Sequence, residues 1–479
     1  MTCRQVPFDF ARTLAVPPHD ATLAPRAARR HAAPVVPGED RLKLSRATLA
    51  AFAAPCLPLS AVGLPAIVYL PPYYSRDLGL SLSAVGIIFL VVRLIDIPLD
   101  PLIGHLIDRT RTRFGRFRPW LGAGAVLLVL GALLVFMASP GITPLQALGG
   151  LFVLYVGYSL FMVAHTAWGG VLTTDYHERS RIFGWWMTFT QLGLLSVLIL
   201  PPLLARVLPG EGNAPGIHAM GWLLIAGAPL TAAWIFWKVS ERPLLADHAP
   251  RLRDLLSVFA NPLMRRILIV DLLSSLAPGL TGALFLFFFE SVGGYPQAEA
   301  SLLLLFYFLA GMLSVPLWTR LARATSKHHA MIVALLGFVA TQGVIVLVPP
   351  GNFWLAALSM TLAGAPYAAP GFLLRAILAD VSDAETLRSG QEKTGLFYSA
   401  LVAVSKLGYA IPVGLSYPIL AAIEFDAKLG TANSVQALNW LTFLFIVPPI
   451  LLAIYAAWVV RGWPIDAAAQ AANAAALKS

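Results

Sequence analysis

Charged side chains are scarce in this sequence. Asp, Glu, Lys and Arg make up 12% of 479 residues, where a soluble protein carries about 25%. Disordered chains need high charge, so that class is excluded for the bulk of the chain. Cysteine is nearly absent, with only Cys3 and Cys56. Two thiols exclude a disulfide framework and a cysteine metal cluster. Residues 1–47 lack an apolar core bounded by a cleavage site, so no signal peptide is expected there. They hold almost no Ser, which disfavours a transit peptide, and their Pro, Ala and Arg content predicts a disordered tail. Missing too are a nucleophile–base pair, a metal-ligand motif and a phosphate loop. A membrane enzyme is therefore not expected. Nor is a receptor, because no stretch outside the apolar runs is long enough for a signalling domain.

What the chain has is apolar length. Hydrophobic residues reach 58% before 38 Gly are counted. No soluble domain of this size could hide that surface, which leaves a polytopic membrane protein. Twelve runs are long enough to span a bilayer: 48–74, 82–107, 119–139, 145–172, 181–206, 217–238, 264–290, 297–321, 329–349, 352–378, 394–422 and 435–460. They are continuous, whereas β-barrel strands would alternate. The fold class expected is all-α, with twelve transmembrane helices in two six-helix halves at 48–238 and 264–460. A cytoplasmic linker at 239–263 joins them, and tails lie at 1–47 and 461–479.

The formal charge of +10 follows from location. With the N-terminus inside, cytoplasmic segments hold the eight basic residues from Arg4 to Arg46 and the five from Arg109 to Arg118. They also hold most of the later ones, from Arg179 to Lys478. Outer loops hold only Arg76, Arg206 and Lys428. Both termini are thus expected in the cytoplasm, in a plasma (inner) membrane. No nucleic-acid partner is needed to explain the charge; the partners expected are the lipid bilayer and a small-molecule solute, with the oligomeric state left open.

The halves echo each other. Helix 4 runs into Asp175-Tyr-His-Glu178, and helix 10 into Asp380-Val-Ser-Asp383. Helices 2 and 8 each lead into a basic loop, at 108–118 and 320–329. Helices 1 and 7 both carry Pro and Gly: Pro55, Pro58, Gly63 and Pro65 against Pro278, Gly279 and Gly282. Interrupted helices in matching positions predict a transporter with its site between the halves.

One stretch is specific. Arg93-Leu-Ile-Asp96-Ile-Pro-Leu-Asp100-Pro101-Leu-Ile-Gly104 continues through Asp108-Arg109-Thr-Arg111-Thr-Arg113-Phe-Gly115-Arg116-Phe-Arg118-Pro119-Trp120. It resembles the glycoside–pentoside–hexuronide cation symporters, the melibiose-permease branch of the major facilitator superfamily. Tyr73-Tyr74, Asp175–Arg179, and the stretch from Asp380 to Lys406-Leu-Gly408 match as well. The resemblance implies solute transport coupled to Na⁺, Li⁺ or H⁺, with no other cofactor. Three positions depart from it. Ser60 stands where the family has a sugar-binding Asp, Met187 where it has a sugar-binding Arg, and Phe161 and Ala164 where a Thr and an Asp complete the cation site. A galactoside site is therefore not expected. A lysolipid or other amphiphile carrier is the alternative to a sugar symporter.

Arg93, Asp96 and Asp100 lie at i, i+3 and i+7, on one helix face. A charge at membrane depth costs roughly 2.5–3.5 kcal/mol on insertion scales, so three need a partner or a function. Two carboxylates four residues apart can share a cation or a proton; otherwise they form an Arg–Asp latch. Pro98 and Pro101 can free carbonyls as further ligands. His165, mid-helix, can carry a proton or simply be a satisfied core residue. Asp96, Asp100 and His165 are the coupling candidates. Arg93, Trp168, Lys406, Tyr398 and Ser60 are the solute-binding candidates; the resemblance places Trp168 near the sugar and shares Lys406, which either bridges to Asp96 or Asp100 or holds a substrate oxygen. Asp271 either joins coupling or pairs with Arg265 or Arg266. Asp108, Arg109, Arg116, Asp175, Arg179, Asp380 and Asp383 sit at cytoplasmic helix ends, where they are expected to gate.

Overall fold

In a bilayer core every backbone N–H and C=O must find a partner inside the protein, and a helix provides them all. The computed structural model describes residues 44–173, 176–207, 214–241, 261–389 and 394–465, with 469, 470, 472 and 473. The tail at 1–43 and most of the 239–263 linker lie outside the described residues. Among the described residues the regular elements are all helical, and twelve helices are long and apolar enough to cross a membrane. They are Arg46–Val68, Leu82–Ile107, Arg118–Phe136, Pro144–Val171, Arg181–Leu200, Ala214–Lys238, Pro262–Val292, Gln297–Ala324, Lys327–Leu347, Phe353–Ser389, Leu396–Ala422 and Val435–Val460. They are called the first to twelfth spans below. The count agrees with the twelve apolar runs.

The first span breaks as expected, whereas the seventh and tenth differ from expectation. The first is broken into Arg46–Ala53, Cys56–Gly63 and Pro65–Val68, as its prolines dictate. The seventh is not broken at Pro278: one helix runs from Pro262 to Phe287, and the irregularity is a π-helical turn at Phe288–Val292. Gly279 serves close packing instead. A Cβ there would lie 2.9 Å from the Gly408 carbonyl of the eleventh span. The tenth span also overruns its apolar stretch and stays helical to Ser389. Its last turns are held by polar bonds, from Lys327 to Asp380 at 2.6 Å and from Asn261 to Glu385 at 2.9 Å.

Packing repeats between the halves. The second span packs on the fourth as the eighth does on the tenth. The third packs on the fourth and sixth as the ninth does on the tenth and twelfth. The first packs on the fifth and sixth as the seventh does on the eleventh and twelfth. The halves then meet along two seams, second against eleventh and fifth against eighth. Glycine draws the first seam tight. A Cβ on Gly86 would lie 2.8 Å from Pro418, and one on Gly414 would lie 2.6 Å from Leu90. At the same end Arg76 pairs with Glu290 across the halves, and its Nε donates to the Ala427 carbonyl at 3.0 Å. The molecule is closed at this end.

The candidate site between the halves

The second span is one helix, Leu82–Arg109, that passes through Pro98 and Pro101. Its heptad spacing brings Arg93, Asp96 and Asp100 to one face, and the structure supplies their partners. Asp96 is 1% exposed and fully engaged. Its Oδ1 accepts from Ser159 Oγ at 2.7 Å. Its Oδ2 accepts from Arg93 at 3.2 Å and from Lys406 Nζ at 3.0 Å. Asp100 Oδ2 takes a shorter bond from the same ammonium, 2.5 Å. Asp100 Oδ1 is buried without a partner. The Arg93 guanidinium also lies 4.3 Å from the Tyr155 ring centroid, a cation–π contact.

The arrangement is two carboxylates and two cations, so the cluster is neutral. Three of the four come from the second span and one from the eleventh. Low dielectric strengthens every pair in such a cluster and penalises any member left alone. Within this cluster, Asp100 Oδ1 is the carboxylate oxygen without a hydrogen-bond partner. One position before Lys406, Ser405 donates to Asp271 at 2.5 Å. Asp271 thus has a hydroxyl partner and does not pair with Arg266, which bonds the Val459 carbonyl at 2.7 Å instead.

Two cavities lie between the spans, and none of the four charged residues, Arg93 and Lys406 included, lines either of them. One, of about 170 Å³, sits among the first, fourth and fifth spans and carries Ser60, Tyr158, Trp186 and Thr190. The other, of about 290 Å³, lies between the halves and is walled by the first, fifth and seventh to eleventh spans. Leu64 and Leu194 line both.

The other expected site residues fall in several places. Ser60 does line the smaller cavity, with its hydroxyl near the carbonyls of Cys56 at 2.9 Å and Thr190 at 3.0 Å. His165 is not brought to the carboxylates. It is fully buried, its Nε2 donates to the Phe52 carbonyl at 2.7 Å, and its ring packs 4.5 Å from Phe52. Trp168 lines neither cavity. It is 1% exposed, stacked on Phe117, with Arg118 5.9 Å over its ring. Tyr398 donates to the Arg375 carbonyl at 3.0 Å, within the second half.

Of the gating candidates, Asp175 and the side chains of Asp108 and Arg179 lie outside the described residues. Arg109 is exposed. Arg116 Nε donates to the Ile107 carbonyl at 3.2 Å, and burial pulls this guanidinium below its ordinary pKa against the opposing charge of Glu241. Asp380 binds Lys327, and Asp383 accepts from Gln470 at 2.9 Å. The hub at this end is a residue that sequence reasoning passed over. Glu241 accepts from the backbone N–H groups of Arg116, Phe117 and Arg118. Ser159, Tyr155 and Glu290 were passed over likewise, since nothing in a neutral or lone residue marks a partner sixty or more positions away.

Comparison with known proteins gives one family. A model described as MFS/sugar transport protein matches residues 51–467. The symporter YnaJ of Bacillus subtilis (strain 168) is 28% identical over 83% of this chain and 87% of its own length. The raffinose carrier protein of Pediococcus pentosaceus is 26% identical over 78% of this chain and 60% of its own. Among solved structures, the nucleoside transporter NupG shares the fold with a TM-score of 0.63 at 13% identity, covering 87% of this chain and all of that one.

Proposed function

This chain belongs to the MFS/sugar transport protein family of membrane transporters, and on that premise we propose that it is a secondary symporter for a small sugar or glycoside. The solute moves with a cation, H⁺ or Na⁺, by alternating access. One observation carries the mechanism: Lys406 of the second half bonds both Asp96 and Asp100 of the first. A cation arriving at Asp100 competes with that ammonium. It neutralises the carboxylate, weakens the tie between the halves and lets them rock once the solute fills the cavities. One cation moving down 100 mV supplies about 2.3 kcal/mol. At about 1.4 kcal/mol per decade, that supports roughly fiftyfold accumulation.

The single unpartnered oxygen of Asp100 favours a proton, which needs one oxygen, over Na⁺, which needs several. The distribution of Lys and Arg supports an orientation with the Arg116 end in the cytoplasm, both termini inside and the closed Arg76 end outward. The test is solute-induced pH change in de-energised cells, with glycosides, pentoses and hexuronates added singly, with and without Na⁺. Alkalinisation with one solute, lost in Asp96→Asn, is the expected result. Uphill uptake that persists in both Asp96→Asn and Asp100→Asn would overturn the coupling role. The apolar walls of the larger cavity support a second reading, an amphiphile carrier, and competition by lysolipid against competition by sugars separates the two.

A further inference from the structure

The two cavities differ in chemistry. In the larger one, two of the polar side chains spend their donors on the protein. Gln342 Nε2 donates to the Phe445 carbonyl at 2.8 Å, and Thr281 donates to the Ala277 carbonyl at 3.2 Å. The remaining wall is apolar, with Phe285, Phe308, Leu304 and Met360 prominent. A sugar ring placed there would be stripped of water against a mostly apolar wall. The walls instead suit an aromatic ring. Tyr307 and Tyr367 lie 5.0 Å apart by centroid, and Phe308 stands edge-on to Tyr367 at 5.5 Å, so a further ring extends an existing edge-to-face set. A dry apolar cavity of about 150 Å³ holds benzene. At about 290 Å³ this one has room for a substituted aryl group.

The smaller cavity is the opposite case. Trp186 Nε1 is buried there without a partner. An indole N–H is a donor only, so what completes it is an oxygen acceptor. The Tyr158 hydroxyl borders the same space, as does Ser60 Oγ, which gives its proton to backbone carbonyls and keeps its lone pairs to accept. A sugar ring meets these requirements. Leu64 and Leu194 are common to both cavities, so the two spaces adjoin at these side chains.

We infer that the solute is a two-part molecule, a glycoside whose sugar ring occupies the Ser60–Trp186 cavity and whose apolar, ring-sized aglycone occupies the Phe308–Tyr367 cavity between the halves. This rests on the transport reading above and narrows its substrate class from sugars in general to hydrophobic glycosides. It also assigns the aglycone a conformational part. The larger cavity is walled by both halves, so an aglycone seated there is contacted by both and rewards their closure.

The test uses the full-length carrier in lipid nanodiscs and pairs of methyl and phenyl glycosides of glucose, galactose and xylose in both anomers. Binding is read by intrinsic fluorescence and by thermal stabilisation. For at least one sugar the phenyl glycoside should act at about tenfold lower concentration than the methyl glycoside, or lower still. Ala363→Phe, which fills the larger cavity, should bring that ratio close to one. Phe308→Ala, which removes an apolar wall without adding bulk, should lower it as well and keeps the test alive should Ala363→Phe not fold. Equal potency of methyl and phenyl glycosides, or a ratio unmoved by both variants, overturns the inference and leaves sugar transport standing. If no glycoside of either kind binds, the transport reading falls and the inference with it.

Discussion

Lys406 and Asp100 meet at 2.5 Å although 306 positions separate them in the chain. The contact joins the eleventh span to the second, along the seam where the two halves are pressed closest. It makes one ammonium both the counter-ion of a carboxylate pair and a tie between the halves. Ion occupancy and conformation are therefore expected to be one equilibrium.

Lys406→Gln alone should destabilise the carrier by about 3–5 kcal/mol, because it leaves two carboxylates with one cation in a buried setting. Adding Asp100→Asn should recover most of that loss, since the cluster is then neutral again. Thermal unfolding in nanodiscs checks both, and equal stability of the single and double variants would contradict the neutral-cluster account. Accumulation should be abolished in both, while downhill exchange of solute persists.

Arg76 and Glu290 should govern the closed end. The pair is partly buried, and each such charge-assisted bond contributes about 1.5–3 kcal/mol. Arg76→Gln or Glu290→Gln should shift the population toward states open at that end, roughly tenfold or more. A cysteine in place of the buried Ser75, next to Arg76, should then react faster with a membrane-impermeant maleimide. The swapped pair Arg76→Glu with Glu290→Arg should restore slow labelling.

Glu241 should organise the opposite end. Its carboxylate accepts three consecutive backbone N–H bonds at 116–118, and Phe117 is thereby held against Trp168. Glu241→Ala leaves those donors without their partner. Hydrogen exchange at 115–118 should accelerate tenfold or more, given about 1–3 kcal/mol for an unmet buried donor. Gly115→Ala should act similarly, because its φ of +106° disfavours a side chain and a Cβ would run into Glu241.

His165 is expected to carry structure rather than coupling. Its ring fills the space beneath Phe52 and donates to that residue's carbonyl. His165→Ala should cost about 2–4 kcal/mol in stability through the cavity it leaves. His165→Gln, which keeps a donor, should retain uphill uptake with the same pH profile. Loss of accumulation at normal stability in that variant would return His165 to the coupling machinery.

What the sequence determined by itself is the class, the span count and the charged face. Twelve apolar runs of membrane length admit one kind of fold, since only helices satisfy a backbone in lipid over such continuous stretches. The heptad spacing of Arg93, Asp96 and Asp100 is local geometry, so their shared face was legible before any tertiary contact. The first span's breaks were legible for the same reason, because proline acts on its own turn. The limit shows at Pro278, where the same local rule predicted a break. The seventh span stays helical there, in close contact with the eleventh at Gly279 and Gly408.

Tertiary structure alone decided the partners. Ser159 on Asp96, Ser405 on Asp271, Glu290 on Arg76 and Glu241 on the 116–118 backbone are contacts between residues far apart in sequence. None carries a sequence signature, because a serine or glutamate becomes a partner only when helix packing delivers it. The same holds for Trp168, whose stacking partner is set by how the Arg116 loop folds back. The cavities are the extreme case. Their walls come from up to seven spans, and a void has no sequence pattern at all, only the absence of side chains that packing failed to bring together.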